Sequence, residues 1–221
     1  MRRTPESLEL MDEASQASAY AEADFSAANS LFLALFTERV ADDFAGSIVD
    51  MGCGPADIPI RLARRFPHAH IDAVDGAPAM LELANQAIDA ARLGRQIDLH
   101  CHHLPTDDLP GDTYDAIVSN SLLHHLNDPA TLWQSINTYA RPGTVILIMD
   151  LLRPAAPQQV DHLVAEYAQD APEVLRRDFK ASLYAAYTLE EVQQQLEAAG
   201  LQALQVNQVS DRHLAVAGTA P

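Results

Sequence analysis

Aromatic residues, basic residues and cysteines are all scarce in this sequence. Aromatics make up 6% and there is a single Trp, so Ala, Leu, Val and Ile must fill most of any core. Lys and Arg number 14 against 31 Asp and Glu, a formal net charge of −17. So acidic a surface repels phosphate backbones and anionic lipid, which argues against nucleic acid or a membrane as partner. Two cysteines, Cys53 and Cys101, cannot build a disulfide framework and neither belongs to a C-x-x-C pair. They fit a reducing compartment. No apolar run approaches the roughly 18 residues that a membrane span needs. The polar start of the chain has no apolar signal-peptide core. The expectation is a cytoplasmic protein.

What is present is ordinary globular material, 48% hydrophobic and 20% charged over 221 residues, a size that suits one α/β domain. Residues 5–22 read as one or two short helices. A helix over 27–42 follows, with Leu31, Phe32, Leu35, Phe36 and Val40 at helical spacing. From Ile48 the pattern alternates. Strands are expected over 48–51, 71–75, 97–101, 114–119 and 144–149, and helices over 55–66, 77–93 and 129–139. Arg141-Pro142-Gly143 reads as a turn. Near-continuous apolar strands alternating with helices argue for a parallel sheet covered on both faces. Residues 157–186 read as helical in two pieces broken near Ala171-Pro172. Thr188 with Glu191 three residues on forms a capping box for a last helix. Residues 203–209 and 212–217 read as a closing hairpin.

The strongest motif is Asp50-Met51-Gly52-Cys53-Gly54 at the end of the first strand. Glycines there let backbone approach a ligand closely, and such turns border the ligand crevice of open α/β sheets. A dinucleotide fingerprint needs a third Gly where this chain has Asp57. Its absence, and a carboxylate at Asp50, disfavour a pyrophosphate and suit a cationic or amine-bearing ligand. Asp75 closes the second strand 21 residues beyond Gly54, placed to accept ribose hydroxyls; the competing role is a helix cap. Gly76 then turns the chain.

These motifs, with Tyr114–Leu126 and Arg141-Pro142-Gly143-Thr144, resemble the class I S-adenosylmethionine (SAM)-dependent methyltransferases over roughly residues 45–152. The resemblance implies a Rossmann-like, doubly wound seven-stranded sheet of order 3-2-1-4-5-7-6. Helices would cover both faces, with a helical lid from residues 1–44 and from an insertion at about 155–187 within a core of 45–221. It implies SAM as co-substrate, bound by Asp50, Gly52, Gly54, Asp75 and Gly76; from the residues themselves no metal is expected. Adenine contacts fall near His102 and His103, with Asp107 or Asp108 as substitutes, and the sulfonium near Asn120, Ser121 and Leu122. One departure is Ala56, where many members have Gly. The implied activity is methyl transfer to a small-molecule acceptor. A weaker resemblance, carried by Ala19–Phe25, Asp150–Pro154 and Ser182–Thr188, is to enzymes of this fold that cyclise SAM to azetidine-2-carboxylate and release methylthioadenosine. A non-catalytic SAM-binding regulator is the third reading, and a homodimer is left open.

Candidate catalytic groups are Asn120, His124, His125 and Ser182. A neutral imidazole is an available base near pH 7, though one His of the pair would serve equally by packing under the cofactor loop. Arg153 is a candidate clamp for an acceptor carboxylate, Tyr184 offers a hydroxyl, and Tyr20, Tyr184 or Tyr187 would face a sulfonium as a cation–π partner. The run His100-Cys101-His102-His103 does not converge as a metal site while extended, because successive side chains point to opposite faces.

Overall fold

A computed structural model describes residues 1–6, 17, 20, 21 and 23–221. Seven strands form one sheet: β1 (Ser47–Met51), β2 (His70–Asp75), β3 (Ile97–Cys101), β4 (Tyr114–Asn120), β5 (Ala140–Leu151), β6 (Gln205–Gln208) and β7 (His213–Thr219). Their order is β3-β2-β1-β4-β5-β7-β6. The first five are mutually parallel, and β7 runs antiparallel to both neighbours. Parallel strands need crossover connections. α1 (Ser26–Thr37) precedes the sheet; α2 (Asp57–Arg65), α3 (Pro78–Ala91) and α4 (Ala130–Tyr139) link β1 to β2, β2 to β3 and β4 to β5, a helix-free segment links β3 to β4, and α5 (Pro157–Tyr167), α6 (Glu173–Ala185) and α7 (Leu189–Ala198) lie between β5 and β6.

Burial on both faces explains the unbroken apolar strands. Ile48, Ala73 and Val118 point to one side, where Phe32 and Phe36 of α1, Leu62 of α2 and Ile88 of α3 cover them. Their neighbours Val49, Val74 and Ile117 point to the other, against Trp133 of α4 and Val192 and Leu196 of α7. The C-terminal ends of β1, β2 and β4 therefore open on one edge, between the two helical layers. That edge is where ligands bind in open α/β sheets.

Two expectations change. Arg141-Pro142-Gly143 is not a turn outside the sheet: β5 begins at Ala140, directly after α4. Tyr114 pairs Ala140 whereas Ala116 pairs Val145, so the extra residues are taken up as an irregularity in the ladder, with Gly143 at φ +90°. The helix expected over 27–42 ends at Thr37. Most of the short-helix reading for 5–22 lies outside the described residues, and residues 1–6 carry no helix.

The insertion leaves the sheet after β5, forms α5 and α6 around Val160, Leu163 and Leu183, and returns where Tyr187 bridges Leu152. Its break falls between Tyr167 and Glu173, at the expected Pro172. Thr188 caps α7: its hydroxyl accepts from the Glu191 N–H while the Glu191 side chain accepts from the Thr188 N–H.

Candidate active site

β1 delivers Asp50 and then the glycine turn. Gly52 and Gly54 adopt φ +78° and +50°, and the N–H groups of Gly52 and Cys53 donate to the Val74 carbonyl at 2.8 and 2.9 Å. The turn is thereby laced to the end of β2. Ala56, at φ +67°, precedes α2 in a left-handed conformation that Gly adopts without strain. Ser121, at φ +60°, stands at the exit of β4. Two left-handed non-glycine residues beside one crevice are the kind of strain that concentrates at functional sites.

The crevice is a cavity of about 1310 Å³. Asp50, Gly52, Gly54, Asp75 and Gly76 line its floor, His102 and His103 one flank, and Asn120, Ser121 and Leu122 the exit of β4. Tyr20 and Phe25 lie on its wall, their rings 4.7 Å apart. Asp107 and Asp108 are not among the described lining residues.

Asp75 is not the cap of α3, whose N-cap position is Ala77 without a side-chain cap bond; its carboxylate braces the turns around it. Its Oδ2 accepts from the Gly54 N–H at 2.9 Å and its Oδ1 from the Ala77 N–H at 2.8 Å, while the residue still faces the cavity. Burial pushes its carboxyl up, more than those backbone donors lower it. Asp50 is 1% exposed. Its Oδ1 has no hydrogen-bond partner, and burial, followed by the nearby Asp75, pushes its carboxyl up to about 8. Asn120 carries a second orphaned acceptor, Oδ1. Its amide is oriented by donation to Asn29 Oδ1 at 3.2 Å, and Asn29 in turn donates to Asp57. Asn29 and Asp57 are lining residues that the sequence reading missed. Helical spacing in α1 marks its apolar face and carries no signal for one buried amide.

The histidine pair divides. His124 is 3% exposed and outside the described cavity lining; its Nδ1 lies 2.6 Å from Asp150 Oδ1. Burial lowers its pKa, but the Asp150 carboxylate outweighs that and raises it overall. His125 lines the cavity, packs against His124 with ring centroids 4.0 Å apart and planes tilted by 37°, and sets its Nδ1 2.6 Å from Glu6 Oε2.

Three candidates are committed elsewhere. Arg153, read as a clamp for acceptor carboxylate, is buried and pairs with Glu191 Oε1 at 2.6 Å. Tyr184 packs with the α5–α6 cluster. Ser182 donates to Glu6 Oε1 at 2.7 Å. None of the three is among the described lining residues. Tyr187 is likewise taken, with the Arg3 guanidinium 4.1 Å above its ring.

The His100–His103 run does not converge: His100 Nε2 meets Asp72 across the sheet at 2.8 Å, while His102 and His103 face the cavity. Among the described residues, Glu6, His124 and His125 bring ligand-type atoms within 4.8 Å of one another. Hydrogen bonds to Asp150 and Glu6 already engage both Nδ1 atoms of that group. Among the described residues no helix is long and apolar enough to cross a membrane.

Residues 20–206 match a methyltransferase domain family. A trans-aconitate 2-methyltransferase of Azoarcus sp. (strain BH72) is 34% identical over 110 residues, 50% of this chain and 41% of that protein. A malonyl-[acyl-carrier protein] O-methyltransferase of Halalkalibacterium halodurans is 28% identical over 109 residues, 49% of this chain and 40% of its own length. This chain thus spans less than half of either relative. Among solved structures, a putative SAM-dependent methyltransferase from Methanococcus maripaludis superposes with a TM-score of 0.73 at 20% identity, covering 100% of this chain and 98% of that one. A SAM-dependent methyltransferase from Aquifex aeolicus gives 0.67 at 18%, covering 93% and 97%.

Proposed function

The chain belongs to the methyltransferase domain family, and from that premise we propose that it transfers the methyl group of SAM to a small-molecule nucleophile. The observation that carries this is the pair of orphaned acceptors, Asp50 Oδ1 and Asn120 Oδ1, at the glycine turn. A buried acceptor without a partner costs about 1–3 kcal/mol. An ammonium, which offers donors and a positive charge, satisfies both and favours the ionised form of Asp50. The amino group of SAM is such a donor, the ribose lies by Asp75 and the adenine on the flank of His102 and His103.

Bound there, SAM supplies a sulfonium methyl whose transfer demands mainly alignment. The protein's share is to hold, align and enclose. Ser121 and Leu122 back the reacting end and Tyr20 offers a π face to a cation. His125 is the group on the acceptor-side wall able to take a proton from the nucleophile. The segment 1–44 and the insertion at 155–187 act as the lid over a core of 45–221. α1 supplies Asn29 to the wall, and residues 3–6 are tied to α6 and its C-terminal residue.

The acceptor is neutral or cationic. Arg61 is the one guanidinium among the described lining residues, and Asp57 and Ser30 already hold it at 3.0 and 3.3 Å. The residues outside the description contain no Lys, Arg or His. A polycarboxylate such as trans-aconitate would meet Asp24, Asp57 and Asp75 with nothing to clamp it. The functional partner is a small molecule rather than nucleic acid or membrane, within the cytoplasm.

Mass spectrometry with methyl-labelled SAM tests the proposal. S-adenosylhomocysteine and a labelled product are expected only when an acceptor is added, and none from trans-aconitate. Methylthioadenosine with azetidine-2-carboxylate from SAM alone would replace methyl transfer by cyclisation. Unchanged SAM across a broad acceptor panel would favour a SAM-binding regulator.

A further inference from the structure

Residues 3–6 form a strap between the end of α6 and the 124–126 loop that carries the cavity-lining His125. Arg3 clamps it: Nε donates to the Ala185 carbonyl at 2.6 Å, and Nη2 donates to the carbonyls of His124 and Leu126 at 3.1 and 3.2 Å. Those two carbonyls flank His125. The Thr4 N–H donates to the Tyr184 carbonyl at 2.9 Å. At the end of the strap, Glu6 splits its carboxylate between His125 Nδ1 at 2.6 Å and the Ser182 hydroxyl at 2.7 Å.

We infer that Glu6 is a positioning residue for His125: it holds the imidazole in the Nδ1–H tautomer and leaves Nε2 as the ring's proton acceptor. The inference rests on the methyl-transfer reading for its catalytic meaning. Its geometry is independent of that reading. An ionised carboxylate has acceptor sites only, so the proton shared with His125 resides on Nδ1 when the ring is neutral. Which ring nitrogen carries the proton is set by the hydrogen bond that the other one makes. Burial would push the Glu6 carboxyl up, yet the hydrogen bond and charge of His125, with His124 and Ser182, hold it at about 2. The ring has little freedom to swing, because the tilted His124 ring packs against it and is itself fixed by Asp150.

In the reaction, the nucleophile gives its proton to Nε2 as its lone pair bonds to the methyl carbon and the carbon–sulfur pair returns to sulfur. The resulting imidazolium is neutralised by the adjacent Glu6 carboxylate. The strap thus adds to the site a group that lies 119 residues away in the chain. It also gives Ser182 a place: it occupies the second Glu6 oxygen and fixes the carboxylate's orientation, rather than touching substrate.

The test is histidine-selective ¹⁵N NMR at alkaline pH, where the neutral ring reports its tautomer, with His125→Gln assigning the signal. His125 is expected mainly as Nδ1–H in the native protein, moving toward Nε2–H in Glu6→Ala. Arg3→Ala, which loosens the strap without touching the carboxylate, is expected to move it the same way and serves if Glu6→Ala does not fold. An Nε2–H ring in the native protein, or a tautomer unchanged in a folded Glu6→Ala, overturns the inference. With an accepted substrate, Glu6→Ala is expected to lower kcat by roughly 10²-fold or more with SAM affinity kept within about twofold. Failure of the methyl-transfer reading would show separately, as native protein that forms no S-adenosylhomocysteine.

Discussion

At Gly52 two constraints coincide. The backbone stands at φ +78°, and a Cβ there would lie 2.9 Å from Leu122 Cδ1. At Gly54, φ is +50° and an added Cβ would meet nothing within 4 Å. Left-handed strain in an L-residue costs about 1–2 kcal/mol, so both Ala variants lose stability. Gly52→Ala is expected to lose more, because Leu122 must also shift. Urea unfolding of the two variants measures the difference; equal losses would mean that Leu122 yields without cost. That Asp50, Gly52 and Gly54 would line a crevice was legible because the pattern is local: strand, carboxylate, glycine, glycine within five positions. Arg153 was not, because its partner Glu191 lies 38 positions on and a free guanidinium and a paired one look alike in sequence. Glu6 and Asn29 were missed for the same reason. Tertiary packing brings Asn29 to the cavity and Glu6 to His125, and no periodicity announces either.

At the scale of elements, α7 shows how local chemistry and tertiary contact share residues. Glu191 closes the capping box with Thr188 and receives the buried Arg153 guanidinium. Removing the Thr188 hydroxyl frees the Glu191 N–H and loosens the loop that Arg153 ties to the insertion. Thr188→Ala is expected to cost about 1 kcal/mol, read as a lower urea midpoint with unchanged m-value; an unchanged midpoint would show that the Arg153 pair alone holds this helix end. The capping box was readable because it is a four-residue pattern. The irregularity at Arg141–Gly143 was misread as a turn because Pro-Gly signals a bend and does not say whether the ladder resumes its pairing beyond it. Here β5 keeps Tyr114 paired on the near side and Ala116 on the far side.

Across the whole molecule, the alternation of strands and helices made the parallel sheet legible, and the resemblance supplied its strand order. The order brings the ends of β1, β2 and β4 to one edge. Asp50, Asp75 and Asn120 converge there from three strand ends. Sequence could not foretell that the amide and carboxylate would each leave an acceptor unmet, since that depends on the depth of burial. Burial and then Asp75 push the Asp50 carboxyl up to about 8. On the proposed reading a bound ammonium favours the carboxylate, so SAM binding at pH 7 is expected to release a proton. The net acidity of the chain, −17, reinforces selection for a cationic ligand.

The direct measurement is calorimetry of SAM binding at pH 7 in buffers of differing ionisation enthalpy, on the native protein and on Asp50→Asn. Binding to the native protein is expected to release close to one proton. In Asp50→Asn the release should vanish and affinity should fall about 10- to 100-fold, the value of a hydrogen bond to a charged group. SAM binding with no proton release, and with undiminished affinity in Asp50→Asn, would contradict the account.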